Sequence, residues 1–93
     1  MIDKALHLFL FLGGQNMTEK EIYQNMRSES SKGYAYYIGF ISKKKYTDLC
    51  KKVESFKAIA DEDFNLGILN FAEYQKELLR YDLMKRSLET AEY

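Results

Sequence analysis

The sequence predicts an all-α protein, a small domain of four to five helices. Its 93 residues include no proline and only five glycines, which is unusual for an all-β protein that must turn often. Leu, Ile, Lys, Glu and Met fill the segments between the glycines, and these residues favour helix. Apolar residues make up 46% of the chain, enough to build a core and too many for a disordered chain.

The first helix is predicted at about Ile2–Leu12, where Leu6 and Phe9 recur at helical spacing. Because this stretch is short and apolar on all sides, a strand is the alternative, and the glycine pair that follows ends either element. The apolar run Ala5–Leu12 is far too short to cross a bilayer and lacks the cleavage pattern of a signal peptide. We therefore expect a buried helix and no membrane partner.

The second helix is predicted to begin at Thr18. Thr18 and Glu21 have the spacing of a capping box, in which each side chain binds a free backbone N–H of the first turn. Ile22 and Met26 follow on one face of this helix. The polar stretch Arg27–Ser31 is predicted to be a turn that separates this helix from the next.

The third helix is predicted at about Lys32–Lys44. Its inward stripe would consist of Tyr34, Tyr37, Ile38 and Ile41, with Tyr36, Phe40 and Lys43 on the adjacent face. Aromatic and β-branched residues together with two glycines also suit a strand at Tyr34–Ile41. Helix and strand therefore both stay open for this segment, with helix favoured.

A fourth helix is predicted from Thr47 or Asp48 to Ala60. Its apolar stripe consists of Leu49, Val53, Phe56 and Ala60. The three acidic residues Asp61–Asp63 are predicted to break the helix, and residues 64–69 to form a short turn of helix around Gly67. We accordingly describe one domain with a core, residues 1–60, and a C-terminal helical extension, residues 61–93.

The last helix is predicted from Asn70, its N-cap, to Thr90, with Glu73 in the capping-box position. Apolar residues lie on two of its faces, so it contacts more than one surface. One face supplies candidate residues for a homodimer: Phe71, Tyr74, Leu78, Tyr81 and Leu88. A central helix in a monomer would have the same two faces, so both arrangements stay open.

Charge is distributed unevenly, although the formal net charge is zero. Between Glu19 and Lys57, nine basic and five acidic residues leave a net charge of +4. Between Ala58 and Tyr93, four basic and eight acidic residues leave −4. The basic middle permits an anionic partner without requiring one.

Residues 6–46 resemble the three-helix core of helix-turn-helix and winged-helix DNA-binding proteins. The matching features are an apolar first helix, a glycine break, the segment Thr18-Glu-Lys-Glu-Ile22 and a serine-rich turn. The segment Tyr37–Tyr46 resembles the third helix of that superfamily and its exit. The resemblance implies a non-catalytic transcriptional regulator that places this helix on duplex DNA. From the apolar face of the last helix we expect it to act as a dimer.

Cationic and polar side chains around the predicted third helix are the candidate DNA contacts. Lysine and arginine would bind phosphate, while serine and tyrosine would lie near the bases. The candidates are Arg27, Ser30, Ser31, Lys32, Tyr34, Tyr36, Lys43 and Lys44. Lysines also suit the negative end of a helix dipole, a role that needs no DNA. The alternative function is a small protein-binding adaptor or inhibitor that uses its aromatic patch or its last helix.

Candidate catalytic and metal-binding residues are few. His7 is the one histidine and lies in an apolar run, and Cys50 lies beside the core stripe of the fourth helix as a small buried residue. The sequence has no metal-ligand spacing, glycine-rich phosphate loop or nucleophile elbow. We therefore expect no enzyme activity, no cofactor and no metal. A single cysteine fits a reducing, cytoplasmic setting.

Overall fold

The computed structural model describes residues 17–93, of which 71% are helical and 5% lie in strands. The elements follow in the order α1 (Glu19–Ser31), β1 (Gly39–Phe40), α2 (Lys43–Asn65), α3 (Phe71–Glu89) and β2 (Ala91–Glu92). Helices α2 and α3 form a hairpin, and α1 packs against both of them. The two short strands pair in parallel, Gly39 with Ala91 and Phe40 with Glu92.

The predicted helical class is confirmed, whereas the predicted number of helices is not. Residues 17–93 contain three helices rather than four to five. The helix predicted at Ile2–Leu12 lies outside the described residues. The boundary predicted between residues 60 and 61 falls inside α2, so one helix continues from the predicted core into the predicted extension.

Helix α1 begins where its capping box predicts. The Thr18 hydroxyl accepts a hydrogen bond from the Glu21 N–H at 3.1 Å, and the Thr18 N–H donates to the Glu21 carboxylate at 3.0 Å. The turn predicted at Arg27–Ser31 is wrong, because α1 continues to Ser31. The Ser30 and Ser31 hydroxyls donate to carbonyls three residues earlier, so these serines bind within the helix instead of ending it.

Gly33 ends α1 and thereby removes the predicted third helix. Its φ of 91° lies in the left-handed region, where a side chain is strained. The Gly33 N–H donates to the Ser30 carbonyl and the Tyr34 N–H to the Glu29 carbonyl, the paired bonds of a Schellman motif. The helix predicted at Lys32–Lys44 is therefore wrong, and the strand alternative is closer to the structure.

An extended segment, residues 34–38, replaces that helix and leads into β1. Its backbone is paired by hydroxyls at the end of α3. The Tyr36 N–H donates to Ser87 Oγ at 2.7 Å, and the Ile38 N–H donates to Thr90 Oγ1 at 2.8 Å. Sheet pairing continues this contact, since the Ile41 N–H donates to the Glu92 carbonyl at 2.9 Å. The segment is thus held by residues some fifty positions away in the sequence.

Helix α2 is longer than predicted at both ends. Ser42 caps its first turn by accepting from the Lys45 N–H at 3.1 Å, so the helix begins at Lys43 rather than Thr47 or Asp48. The break predicted at Asp61–Asp63 is wrong, because these residues are helical as far as Asn65. A second Schellman motif, centred on Gly67 with φ 78°, ends the helix.

Helix α3 agrees with the sequence prediction. Asn70 Oδ1 accepts from the Glu73 N–H at 2.8 Å, the Asn70 N–H donates to the Glu73 carboxylate at 2.9 Å, and Thr90 is the C-cap. Both capping boxes of the sequence therefore mark real helix starts.

The hydrophobic core lies at one end of the α2–α3 hairpin. We call residues 43–56 of α2 and 80–89 of α3 the proximal half, and residues 57–79 the distal half. The core cluster joins the proximal half to α1 and to the extended segment through Ile22, Met26, Ile38, Ile41, Leu49, Val53, Met84 and Leu88. In the distal half, Ala60 is the buried apolar residue.

Candidate functional site

The candidate DNA-binding residues do not lie on one helix. Ser30 is buried, and its hydroxyl accepts from Arg80 Nε at 3.4 Å. Tyr36 is half-buried, and its hydroxyl accepts from the Asn25 side-chain amide at 3.2 Å. The remaining candidates are exposed: Arg27, Ser31, Lys32 and Tyr34 in and after the last turns of α1, and Lys43 and Lys44 at the start of α2.

The exposed candidates form two groups at opposite ends of α1. Lys45 Nζ donates to the Met17 carbonyl at 2.8 Å, so the lysine triplet lies beside the beginning of α1. Lys32 and Tyr34 follow its other end, and a helix of 13 residues spans about 20 Å. The structure therefore does not bring the two groups together.

The lysine triplet Lys43–Lys45 begins α2, whereas the sequence prediction placed it at the end of a helix. Cations at a helix N-terminus oppose the helix dipole, so this position is unfavourable for them. Neighbouring groups offset that effect. Lys44 Nζ contacts the Asp48 carboxylate at 2.9 Å, which raises the pKa of Lys44, with a smaller contribution from Glu19. Carboxylates thus compensate much of the positive charge at this end.

The candidate dimerisation residues lie mainly inside the hairpin. Leu88 belongs to the core and Leu78 is half-buried. The Tyr81 hydroxyl donates to the Glu54 carboxylate at 2.8 Å, and the Tyr74 hydroxyl donates to Asp61, so both tyrosines contact α2 of their own chain. Phe71 alone among the five is strongly exposed. That face of α3 is therefore largely occupied within the monomer.

The single cysteine, Cys50, is half-buried and packs against the core cluster, as does the neighbouring Tyr46. Hydrogen bonding to Cys50, and then to Tyr93, raises the pKa of Tyr46 to about 12. The Tyr46 and Tyr93 rings stack with centroids 4.3 Å apart. Within residues 17–93, no three His, Cys, Asp or Glu side chains are grouped so that they could hold a metal ion. His7 lies outside the described residues.

The distal half ends in an exposed apolar surface that we call the tip: Phe64, Leu66, Ile68, Leu69 and Phe71. The exposed fractions of Leu66, Ile68 and Phe71 are 65–66%. Phe64 stacks on Tyr74 at 4.4 Å and meets the edge of Phe71 at 6.3 Å. The Gly67 turn places these side chains, because the Ile68 N–H donates to the Asp63 carbonyl at 2.8 Å.

A groove of about 670 Å³ runs along α2, with α1 forming part of its wall. Its lining residues come from all three helices and the loop: Tyr23, Arg27, Lys51, Lys52, Ser55, Phe56, Ile59, Ala60, Asp63, Leu69 and Glu77. The Arg27 and Arg80 guanidinium groups lie 5.8 Å and 5.4 Å from the centre of the Phe56 ring. Lysines stand at one end of the groove and Asp63 at the other.

Sequence reasoning missed the tip and the groove. The stretch Leu66-Gly-Ile-Leu-Asn-Phe71 puts apolar residues on both sides of a glycine and just before a capping box. That pattern indicates a helical hairpin with an apolar turn, and it was the available signal. The sequence could not predict which of these apolar residues are exposed, because their exposure depends on where α1 packs.

Comparisons with known proteins give no assignment for this arrangement. Over residues 17–93, no helix has the length and apolar character needed to span a membrane. No protein-family model matches the chain, and neither a curated protein nor a solved structure is similar to it.

Proposed function

We propose that this protein is a non-catalytic adaptor whose tip binds an amphipathic, basic segment of a partner protein. The observation that carries the proposal is a group of exposed aliphatic and phenylalanine side chains at the distal end. The large apolar residues exposed outside the distal half are mostly tyrosines: Tyr34, Tyr37, Phe40 and Tyr93. Leu66, Ile68 and Phe71 are each about two-thirds exposed and lie within six consecutive positions. Contiguous apolar surface of this kind is typical of protein interaction sites.

The charge around the tip supports a basic partner. Between Ala58 and Gln75 the chain has four carboxylates and no lysine or arginine: Asp61, Glu62, Asp63 and Glu73. An apolar patch with an acidic rim matches a helix that has one apolar face and flanking cations. The same rim would repel the phosphates of a nucleic acid.

The tip is also held in place before any partner arrives. The Gly67 Schellman motif, the Asn70 capping box and the Phe64–Tyr74 stack all stabilise the turn. Asp61 joins the two helices, because it contacts Lys57 at 2.7 Å and accepts from the Tyr74 hydroxyl. A rigid surface loses less conformational entropy on binding.

The protein-binding proposal is preferred to the DNA-binding prediction for reasons of position and charge. The cationic candidates lie at opposite ends of α1, and the triplet is surrounded by Asp48, Glu19 and Glu21. The predicted recognition helix at Lys32–Lys44 is an extended segment followed by the first turn of α2. Neither feature supports docking into a major groove.

Peptide binding tests the proposal. A fluorescent amphipathic helix of leucine and lysine, about 18 residues or five turns long, is titrated with the full chain and followed by anisotropy. We expect binding that weakens as salt increases. Phe71→Glu and Ile68→Glu should each weaken it roughly tenfold or more, because both put a charge into the apolar contact.

The control is Tyr34→Glu, since the exposed fraction of Tyr34 is 63% and that of Phe71 is 65%. This variant should bind the peptide as the original chain does. A scrambled peptide of equal composition should bind weakly. Equal losses in the Phe71 and Tyr34 variants, or no peptide binding at low salt, would overturn the proposal.

A gel-shift titration with random duplex DNA separates the two functions. An adaptor should leave the duplex free at low salt. Retention that falls steeply with salt and is lost in Lys43→Glu/Lys44→Glu would instead restore the DNA-binding prediction.

A further inference from the structure

The groove face of α2 carries a pattern of residues that is complementary to its own reverse. About a point midway between residues 57 and 58, Lys52 mirrors Asp63 and Phe56 mirrors Ile59. Ser55 mirrors Ala60 in the same way. All six residues line the groove. When a second copy of α2 lies antiparallel beside the first, this pattern pairs each cation with a carboxylate and each apolar residue with an apolar residue.

The same residues have the spacing of a coiled-coil seam. Lys52, Phe56, Ile59 and Asp63 follow one another by four, three and four positions, which keeps them on one stripe of the helix. The outer members are 11 positions apart, or about 16 Å along the axis. Ile59 is 59% exposed, whereas Phe56 packs against the core cluster on one side and lines the groove beside the Arg27 and Arg80 guanidinium groups on the other.

We propose that the protein forms a homodimer in which the α2 groove faces of two copies pack antiparallel about this point. The two-fold axis brings Phe56 of each copy against Ile59 of the other and Lys52 against Asp63. Each contact then occurs twice, as an isologous interface requires. The charge pairs at the two ends select this register, because a shift of the helices would bring like charges together or leave a charge facing apolar residues.

The remaining groove residues agree with this arrangement. Lys51 adds positive charge beside Lys52, so that end faces the partner's carboxylate with two lysines. The Arg27 guanidinium lies nearer the centre, over the Phe56 ring. Lys52 is held in place by Glu19 at 3.5 Å and by the Tyr23 ring at 5.5 Å. On the α3 side, Glu77 is compensated by Arg80 at 3.3 Å within its own chain.

This inference does not depend on the adaptor function, because its contacts are made by α2 and the groove shares only Leu69 with the tip. If the adaptor function is correct, the dimer would carry two binding surfaces instead of one. Antiparallel packing places the two tips at opposite ends of the dimer, roughly 30 Å apart along the α2 axes. A dimer could then hold two partner segments at once and gain from the linkage between them.

Light scattering of the full chain after size-exclusion chromatography is the first test. The monomer mass is 11.0 kDa, and we expect twice that mass at concentrations of tens of micromolar. Ile59→Glu should give the monomer mass, because it puts two carboxylates at the centre of the interface. Leu79→Glu, an equally exposed position on α3 away from the groove, should leave the dimer intact.

A charge-reversal mixture tests the antiparallel register. Asp63→Lys opposes cations to the partner's lysines, and Lys51→Glu/Lys52→Glu opposes carboxylates to the partner's Asp63. Each variant alone should dissociate roughly tenfold or more easily than the original chain. An equimolar mixture should recover the dimer mass, because in the mixed pair both ends join opposite charges.

Circular dichroism and thermal unfolding verify that each variant is folded, which matters for Lys52 because its substitution also removes the contact with Glu19. A monomeric original chain would overturn the proposal. So would a dimer that is insensitive to Ile59→Glu, or a mixture that stays monomeric while both variants are folded. Peptide binding measured on Ile59→Glu and on Lys51→Glu/Lys52→Glu reports separately on the tip, because these substitutions leave the tip and its carboxylates unchanged.

Discussion

The proximal and distal halves of the α2–α3 hairpin use the same two helices but differ in what covers them. In the proximal half, α1 and the extended segment bury Leu49, Val53, Met84 and Leu88. In the distal half, Ile59, Leu66, Ile68, Phe71 and Leu79 are mostly exposed. The first half has the character of a protein core, and the second has the character of a binding surface.

Helix length explains the difference. Helix α1 has 13 residues and spans about 20 Å, while α2 has 23 residues and spans about 35 Å. Since Lys45 contacts Met17 at the start of both helices, α1 ends well before α2 does. Among residues 17–93, α1 does not reach the apolar positions beyond that end, and most of them are exposed. The comparison shows that buried and exposed apolar residues are separated along the same two helices.

The largest expected effect distinguishes a core leucine from a tip leucine. Leu49→Ala should lower the free energy of unfolding by about 2–5 kcal/mol, because Leu49 is fully buried and its loss leaves a cavity. Leu66→Ala at the tip should change it by no more than about 0.5 kcal/mol. Urea denaturation of both variants measures the contrast. Equal losses at the two positions would mean that the tip is part of the stabilising core.

A smaller effect concerns the hydroxyls that bind the extended segment to the proximal half. Ser87→Ala removes the acceptor of the Tyr36 N–H and leaves this half-buried donor unpaired, which should cost about 1–3 kcal/mol. Ser55→Ala, at an exposed position of the groove, is the matched control and should be nearly neutral. Urea denaturation should resolve the two. A neutral Ser87→Ala would show that the segment is held by its apolar contacts alone.

The smallest effect is a pH dependence carried more strongly by the proximal half. The pKa of Tyr46 is raised to about 12 in the folded protein, against about 10 when unfolded. A raised pKa gives stability that is complete below pH 10 and is lost as the pH increases toward 12. Tyr46→Phe should therefore remove part of the alkaline loss of stability.

Tyr74→Phe is the distal counterpart. Its hydrogen bond to Asp61 raises the pKa of Tyr74 in the same direction, but Tyr74 has this one hydrogen-bond partner where Tyr46 has two, Cys50 and Tyr93. Unfolding measured from pH 9 to pH 12 should thus change more in the Tyr46 variant than in the Tyr74 variant. The reverse order would place the alkaline sensitivity in the distal half.

Two of the three helix starts within residues 17–93 could be predicted from the sequence, because their signals are local. Thr18 with Glu21 and Asn70 with Glu73 satisfy backbone N–H groups within one turn, and both boxes occur in the structure. The last helix, from Asn70 to Thr90, follows the prediction for the same reason. The signal of a glycine with positive φ is also local. The sequence prediction nevertheless placed Gly33 inside the helix Lys32–Lys44, whereas in the structure Gly33 ends α1.

The extended segment and the exposed tip could not be predicted in this way. Residues 34–38 are extended because Ser87 and Thr90 pair with their backbone, and those partners are about fifty residues distant. Local preference left helix and strand both open, and the tertiary contact decided between them. The tip is exposed because α1 is short, which no pattern within the tip itself indicates.

Amide hydrogen exchange on the full chain tests the central claim, that the proximal half forms the core and the distal half is the binding surface. Exchange is followed by mass spectrometry with and without the amphipathic leucine–lysine peptide. We expect slow exchange in the proximal half that the peptide does not change, and additional protection at residues 57–79 when the peptide is bound. Protection that appears only in the proximal half, or equally in both halves, would contradict the account.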